Sequence, residues 1–261
     1  MRYLSVNGYE NRTNDVIYTQ PLQKTGIKSA VIYFGGDIQD FTENMETHRD
    51  NKNYLEWSLD KTSQILQNAF PDSHIILIRP SRMEYKTFSC FENFTPCENC
   101  GVPRNTAMHH AIDHLEKLIE NLEKNTHDTL SELDLVLIGF SKGCVVLNQF
   151  LYEFYTLQEK TPFVERIKTM FWLDGGHSGG KNTWVTSKAV LESLAKFEIQ
   201  VRIHVSPYQI QDDRRPWIKK EERIFYNTLC GLNVDVGRRV HSPDLPPTIY
   251  HHFAVLNEFN H

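Results

Sequence analysis

The sequence predicts an α/β fold: a mostly parallel, twisted sheet with helices on both faces. Strand-like and helix-like runs alternate along the chain, as crossover connections between parallel strands require. Near the middle, an apolar run leads directly into Gly139-Phe-Ser-Lys-Gly143 and then into a helical pattern. The chain has 261 residues, of which 40% are hydrophobic, enough for one sizeable core. We therefore expect a single domain over residues 1–261.

Strands are expected where short apolar or alternating runs stop at glycine, proline or a polar loop. The run at 15–19 is expected at one edge of the sheet, and the alternating run at 199–205 toward the other edge. The full set of expected strands is 15–19, 29–34, 74–79, 133–138, 164–173, 199–205 and 233–240.

Helices are expected where apolar residues recur three and four positions apart. Pro71 follows the end of the first pattern, and Asn105 is suited to cap the second. The expected helices are 51–70, 106–124, 144–155, 186–197, 216–229 and 249–259. Residues 81–104, rich in aromatic residues and cysteines, fit neither pattern and are interpreted as an insertion near the top of the sheet.

The pentapeptide Gly139-Phe-Ser-Lys-Gly143 matches Gly-x-Ser-x-Gly, the sharp strand-to-helix turn that presents a serine nucleophile in the α/β-hydrolase fold. A side chain at position 139 or 143 would collide with the neighbouring backbone, so glycine is expected at both. Three fixed positions are weak evidence alone, but the strand before and the helix after supply the required context. The sequence thus predicts an α/β-hydrolase fold with Ser141 as nucleophile.

A serine nucleophile needs a base, and in this fold a histidine after the last strand supplies it. His241, His251 and His252 all follow that strand. We favour His252, because it opens a helix whose apolar face, from Phe253 onward, can dock on the body of the protein. His251 and His241 are the alternatives, and a surface helix position is the non-catalytic interpretation of each.

The acid that orients the histidine follows a late strand. Asp212 comes after the strand 199–205 at the usual loop length and is the favoured candidate. Asp174 directly follows the preceding strand and is the alternative. If Asp212 is not catalytic, we expect it to form an exposed ion pair with Arg214 or Arg215. If Asp174 is not catalytic, we expect it to form a turn with Gly175.

An oxyanion hole needs two backbone N–H donors aimed at the developing negative charge. One is expected from Lys142, the residue after the nucleophile. The other is expected from Gly36 or Asp37, in the glycine loop after the strand 29–34. The side chain of Lys142 is not expected to act as a base, since on such a turn it points away from the serine.

Composition excludes several classes of protein. Lys+Arg 28 against Asp+Glu 33 gives a formal charge of −5, and no basic block suggests a nucleic-acid surface. The apolar runs are far shorter than the ~20 residues that span a bilayer. The first residues resemble neither a signal peptide nor an Arg-rich transit peptide, which predicts an intracellular soluble protein of the cytoplasm.

The five cysteines are expected to be free thiols. Cys144 and Cys230 fall in apolar helical patterns and are predicted core thiols. Cys90, Cys97 and Cys100 lie in the insertion, where a single Cys-x-x-Cys lacks the second pair of ligands that a zinc site requires. No metal or cofactor is therefore predicted. A metal or redox site, with His109 or His110 as a further ligand, is the alternative to free thiols there.

The chain resembles the α/β-hydrolase superfamily over nearly its whole length. More narrowly, it resembles an uncharacterised hydrolase-like family whose human member is named for an open reading frame on chromosome 2. The stretches that carry this resemblance are 14–16, 34–37, 139–143, 172–177, 182–186, 207–209 with Asp212, and His252-Phe253. The resemblance implies a serine-hydrolase-like fold and, for animal members, a mitochondrial location.

These observations predict a serine hydrolase of ester, thioester or amide bonds that takes a small-molecule or acyl substrate. The aromatic residues Tyr85, Phe88, Phe91 and Phe94 of the insertion are interpreted either as a lid over an acyl pocket or as a loop that buries its own side chains. The rival hypothesis is a catalytically weak or inactive hydrolase-fold protein that serves as a scaffold or a regulatory binding partner.

Overall fold

The structure is a computed structural model that describes residues 1–157 and 159–259. Eight strands form one sheet in the order β1-β2-β4-β3-β7-β8-β9-β10. These strands are β1 Arg2–Asn7, β2 Thr13–Thr19, β3 Ser29–Phe34, β4 Ser73–Ile78, β7 Asp134–Phe140, β8 Ile167–Leu173, β9 Gln200–Val205 and β10 Val236–Val240.

The sheet is mostly parallel, as predicted. The six strands from β4 to β10 run parallel to one another, whereas β2 runs antiparallel to β4 and β1 antiparallel to β2. Sequence analysis missed β1, which lies outside β2, so the predicted edge strand at 15–19 is wrong in its position. The pattern of β1 is weak, since only Val6 of its six residues is buried.

The helices are α1 Thr42–Glu46, α2 Leu59–Ala69, α3 Ala111–Thr126, α4 Cys144–Thr156, α5 Pro162–Glu165, α6 Lys188–Leu194, α7 Pro207–Ile210, α8 Pro216–Gly231 and α9 Ile249–Glu258. The predicted helix 51–70 is divided, because residues 51–57 form 3₁₀ turns and Ser58 caps α2. The predicted helix 106–124 begins only at Ala111, after His110 in a left-handed conformation (φ 59°).

The strands bury both faces of the sheet. In β3, Ala30, Ile32 and Phe34 face one apolar cluster, and Val31 and Tyr33 face the other. The first cluster includes residues of α3, α4, α6 and α8, and the second includes residues of α2 and α9. Helices therefore cover both faces, which explains why β3 and β4 are almost continuously apolar.

The insertion is more ordered than its sequence suggested. It contains a small hairpin, β5 Arg82–Glu84 and β6 Phe88–Cys90, and a 3₁₀ turn at Asn99–Gly101. Phe91 and Phe94 are buried against Phe34, with ring centroids 5.9 and 5.2 Å apart. Because these rings join the main core, the insertion is fixed on the end of β3.

The cysteines are free thiols in the structure. Cys144 is buried as predicted, but Cys230 is exposed, so its assignment to the core is wrong. Cys230 lies on α8, whose buried positions are Ile218, Glu222, Phe225 and Leu229, and it projects from the solvent side of that stripe. Among residues 1–157 and 159–259, no helix is long and apolar enough to cross a membrane.

Candidate active site

Ser141 lies where β7 ends, in the interior of the sheet. Its backbone is left-handed (φ 51°), a strained conformation for a non-glycine residue that is found at nucleophile turns. A Cβ at Gly143 would approach the carbonyl oxygen of Phe34 to 2.0 Å, and one at Gly139 would approach Cα of Cys144 to 2.8 Å. The expected need for glycine at both positions is therefore confirmed. At position 143 the turn packs so closely against the end of β3 that no side chain can be accommodated.

The histidine side of the site is built on α9. Thr248 caps this helix by accepting a hydrogen bond from the N–H of His251, and His252 follows in the first turn. The ring of His252 is 4% exposed and is stacked between Phe140 and Tyr208, with centroids 4.6 and 4.7 Å away. These two rings hold the imidazole plane in one orientation.

The acid beside His252 is Asp174. The Nδ1 atom of His252 lies 2.7 Å from Oδ2 of Asp174, and the carboxylate is fully buried. The N–H of Ser206 donates to Oδ1 at 2.6 Å, and the Ser206 hydroxyl also donates to this carboxylate. A carboxylate with these donors is satisfied without solvent. It holds the N–H on Nδ1, so that Nε2 is the nitrogen left to accept a proton.

The favoured acid, Asp212, is not placed beside His252, and this expectation is corrected. Asp212 forms ion pairs with Arg215 at 2.8 Å and with Arg214 at 3.2 Å, the non-catalytic role that its sequence neighbours also allowed. The hydrogen bond from Arg215 lowers the pKa of Asp212 to about 2. The loop after β9 is taken up by α7, which carries Asp212 away from the histidine.

The two other histidines after β10 have different partners. His251 is bonded through Nδ1 to the Pro246 carbonyl and the Thr248 hydroxyl. His241 lies between His204 (2.8 Å) and Glu258 (3.2 Å). Of the three candidates, His252 is thus the one that contacts Asp174, and it also lines the cavity that contains Ser141.

Ser141 and His252 line one cavity of about 220 Å³. In the described part of the chain, no hydrogen bond joins the Ser141 hydroxyl to the His252 ring. Such bonds are often long in ligand-free sites and tighten when substrate binds. The lining residues are Asp37, Ile38, Phe88, Ser141, Gly176, His177, Ser178, Tyr208, Gln209, Arg215, Ile249, His252 and Phe253.

The loop after β3 lies directly against the serine turn. The Gly36 N–H donates to the side-chain oxygen of Gln39 at 2.9 Å, so Gly36 is the wrong one of the two expected oxyanion donors. A Cβ at Gly36 would lie 2.8 Å from Cβ of Ser141, and glycine is needed there for close approach. Asp37 lines the cavity, and within the described residues its N–H has no hydrogen-bond acceptor. Asp37 and Lys142 therefore remain the candidate donors.

The side chain of Lys142 is completely buried, and within the described residues it makes no hydrogen bond to Ser141. Its ammonium group donates to the Cys100 carbonyl at 2.7 Å and lies 3.2 Å from the Asp37 carboxylate. The N–H of Ser89 donates to the same carboxylate. Burial raises the pKa of Asp37, and the nearby ammonium opposes that rise. Lys142 thus joins the serine turn, the oxyanion loop and the insertion.

The stretch 172–186 proves to contribute to the cavity wall. Gly176, His177 and Ser178 line the cavity, while Trp184 is buried in the core. Burial lowers the pKa of His177 to about 4, and its Nδ1 accepts the Gly179 N–H. His177 is therefore a weak base whose Nδ1 is already engaged, and it is not a second candidate for the catalytic base.

The insertion provides one wall of the cavity through Phe88. Phe91 and Phe94 are buried in the core, and Tyr85 is 75% exposed at the tip of the hairpin. Phe91 and Phe94 thus agree with a loop that buries its own side chains, and the lid over an acyl pocket stays a prediction. In the described chain, no group of three or more His, Cys, Asp or Glu side chains is arranged to hold a metal ion.

Sequence reasoning missed the partners that position the site. The burial of Lys142 could not be predicted from the residues around it. Its partners, Cys100 and Asp37, are distant from it in the sequence. Gln209 and Arg215 also line the cavity, and the one available signal was the stretch 207–209 that belongs to the resemblance.

The model of the C2orf69 family matches residues 2–134 and 123–235 of this chain. The mitochondrial protein C2orf69 homolog of Danio rerio is 37% identical over 290 residues, which cover 99% of this chain and 85% of the relative. Mitochondrial protein C2orf69 of Homo sapiens is 35% identical over 283 residues, with 88% of this chain and 74% of the relative covered. The relatives are named mitochondrial proteins, in agreement with the expected location.

Solved structures with the same fold include a ferulic acid esterase (TM-score 0.52, 10% identity), with 100% of this chain and 95% of that chain covered. The acylaminoacyl peptidase of Pyrococcus horikoshii superposes with a TM-score of 0.52 at 12% identity, covering 96% of this chain and 39% of that chain. An uncharacterised protein from Capnocytophaga ochracea superposes with a TM-score of 0.54 at 9% identity, covering 100% of this chain and 62% of that chain. At these identities the likeness establishes the α/β-hydrolase fold alone.

Proposed function

This chain belongs to the C2orf69 family, and we propose that it is a serine hydrolase that cleaves an ester, thioester or amide bond through an acyl-enzyme. The observation that carries the proposal is the buried contact of 2.7 Å between His252 and Asp174, beside the cavity that Ser141 also lines. A carboxylate, an imidazole and a serine on a strained turn, in this order from the core to a cavity, are the parts of a catalytic triad.

In the proposed reaction, the Ser141 hydroxyl attacks the carbonyl carbon while Nε2 of His252 takes its proton. Asp174 holds the imidazole and stabilises the imidazolium that forms. The N–H groups of Lys142 and Asp37 bind the oxyanion. His252 then gives its proton to the leaving group, and the acyl group stays on Ser141. Water, deprotonated by His252, attacks that acyl group, and His252 returns the proton to the Ser141 oxygen as the acid leaves.

Labelling with a fluorophosphonate probe tests this proposal, since the probe reacts with activated serines. We expect the purified protein to be labelled, Ser141→Ala to show no labelling, and His252→Ala to be labelled at least about 10³-fold more slowly. Ser178→Ala is the matched control, because Ser178 lines the same cavity outside the turn, and this variant should react like the parent.

A binding role without turnover is the second candidate. One observation favours it: within the described chain the Ser141 hydroxyl is not hydrogen-bonded to His252. In that case the folded parent would resist the probe at concentrations that label ordinary serine hydrolases, and Ser141→Ala would keep the biological activity of the protein. Labelling that persists in Ser141→Ala would also count against the proposed triad.

A further inference from the structure

The proposed triad leaves two polar side chains of the cavity without a role. Gln209 and Arg215 both line the cavity, from α7 and from the turn before α8. They lie on the segment between β9 and α8, which sequence analysis expected to supply the catalytic acid. Since Asp174 occupies that place, this segment is free to have another function.

Gln209 is 2% exposed, yet its side-chain oxygen is buried without a hydrogen-bond partner in the described protein. A Cβ at Gly176 would lie 2.6 Å from this oxygen, so glycine at position 176 leaves the space that the amide occupies. Buried polar groups without partners are rare in folded proteins. This oxygen is an acceptor, so the partner that it lacks is an N–H or O–H donor, which a ligand in the cavity can supply.

Arg215 has hydrogen-bonding capacity that its own partner does not use. Its Nε donates to Asp212, and its side chain is 24% exposed. Among the contacts of the described residues, its two terminal nitrogens have no acceptor. A planar guanidinium with free N–H groups is suited to bind a carboxylate through two parallel hydrogen bonds.

The carboxylate of Asp212 does not cancel this positive charge, because it is shared. Arg214 binds the other oxygen of Asp212 at 3.2 Å, so two guanidiniums face one carboxylate. The opposing acid of the cavity, Asp37, is already engaged by Lys142 and by the Ser89 N–H. The Arg215 side of the cavity therefore favours an anion.

We propose that the substrate of this site carries an anionic group of the carboxylate type that Arg215 binds, together with an N–H or O–H group that donates to the side-chain oxygen of Gln209. The inference rests on the proposed function and specifies its substrate class. The small volume of the cavity, about 220 Å³, favours a short acyl chain that ends in the acid over a long alkyl chain.

Paired esters test this. The first pair is the mono-para-nitrophenyl ester of glutaric acid and its neutral methyl diester, which differ in a charge on the acyl part. The second pair is the pentanoyl ester of para-hydroxybenzoate and that of its methyl ester, which differ in a charge on the leaving group. We expect kcat/KM to be about 10- to 100-fold higher for the anionic member of the first pair, mainly through KM.

Arg215→Gln should remove most of that preference, and Gln209→Glu should reduce it by placing a second negative charge beside the bound acid. Arg214→Gln is the matched control: it removes a cation from the same Asp212, but its side chain is 90% exposed and outside the cavity lining, so it should keep the preference. The rate of fluorophosphonate labelling reports for each variant whether the serine is still intact.

Equal hydrolysis of both members of the first pair, or a preference unchanged in Arg215→Gln, would overturn the inference while leaving the serine hydrolase in place. A preference confined to the second pair would move the anionic group to the leaving group and refute the acyl assignment. Absence of both labelling and hydrolysis would overturn the proposed function and this inference with it.

Discussion

Two features fix the position of Asp174: it directly follows a strand of the sheet, and its backbone is hydrogen-bonded to the neighbouring strand. It follows β8 directly, with a left-handed backbone (φ 46°), and its N–H donates to the His204 carbonyl at 2.6 Å. Because β8 and β9 are paired in the sheet, the carboxylate that meets His252 is supported by the sheet and not by α9. A carboxylate on the loop after β9 would lack this support.

Asp174→Asn should therefore slow fluorophosphonate labelling by about 10³- to 10⁴-fold, because an amide cannot hold the imidazole in the required tautomer or stabilise its cation. Asp212→Asn removes the partner of two arginines and should slow labelling by no more than about fivefold. The second-order labelling rate constant is the measurement. If Asp212→Asn slowed labelling more than Asp174→Asn, Asp212 would be the catalytic acid.

Gly143 shows how tightly the serine turn is packed. The Cβ of an alanine there would meet the Phe34 carbonyl oxygen at 2.0 Å, and backbone cannot yield as a flexible side chain can. We expect Gly143→Ala to destabilise the protein by at least about 3 kcal/mol or to prevent folding. Gly180→Ala, with no atom within 4 Å of the added Cβ, is the control and should change the urea midpoint little. Equal midpoints for the two variants would contradict the packing argument.

At the scale of elements, the contact between Lys142 and Asp37 connects three segments that are distant in sequence. A buried ion pair is not strong evidence of stability, since removing the two charges from water is costly. Loss of one partner is nevertheless expensive, because it leaves the other charge buried alone. The pair thus fixes the relative position of the serine turn and the oxyanion loop.

Lys142→Met should lower the free energy of unfolding by about 1 to 3 kcal/mol, because it leaves the Asp37 carboxylate, whose side chain is 29% exposed, without its cation. Addition of Asp37→Asn should recover part of that loss, since the double variant contains no unpaired charge. Urea denaturation of the four proteins gives the coupling energy. Strictly additive losses would show that the two side chains do not stabilise each other.

At the scale of the whole molecule, the two apolar faces of the sheet enclose histidines that are neutral in the fold. Burial lowers the pKa values of His114 and His204 to about 3. In an unfolded chain such a side chain has a pKa of ~6.5. Between these values the unfolded chain binds more protons, so the stability present above pH ~6.5 is lost as the pH falls toward ~3.

His114→Gln should therefore reduce the loss of stability between pH 7 and pH 5 by about 1 to 2 kcal/mol relative to the parent. His114 is fully buried, with Nδ1 accepting the Tyr9 N–H and Nε2 bonded to Asn14. His127→Asn, at an exposed left-handed helix end, is the control and should leave the pH dependence unchanged. Urea midpoints at both pH values decide, and an identical pH dependence in parent and His114→Gln would refute the assignment.

The assignment of residues 1–261 to a single domain remains a prediction, but the fold that contains the site was largely predictable. Seven of the eight sheet strands were expected, five of them within about two residues of their observed bounds, because a buried strand is apolar along its own length. The start of β8 was placed too early, since Pro162 to Glu165 forms a short helix, and β1 was missed because it is mostly exposed.

The sequence by itself determined the fold and the serine turn, and it pointed to His252 as the candidate base. These depend on local spacing: glycines two residues either side of Ser141, and a histidine at the start of a terminal helix. The tertiary structure decided the partners. Asp174 lies 78 residues from His252, and the oxyanion loop meets the turn about 100 residues away in the chain. Contacts across such separations depend on strand order and loop paths, which no local pattern encodes.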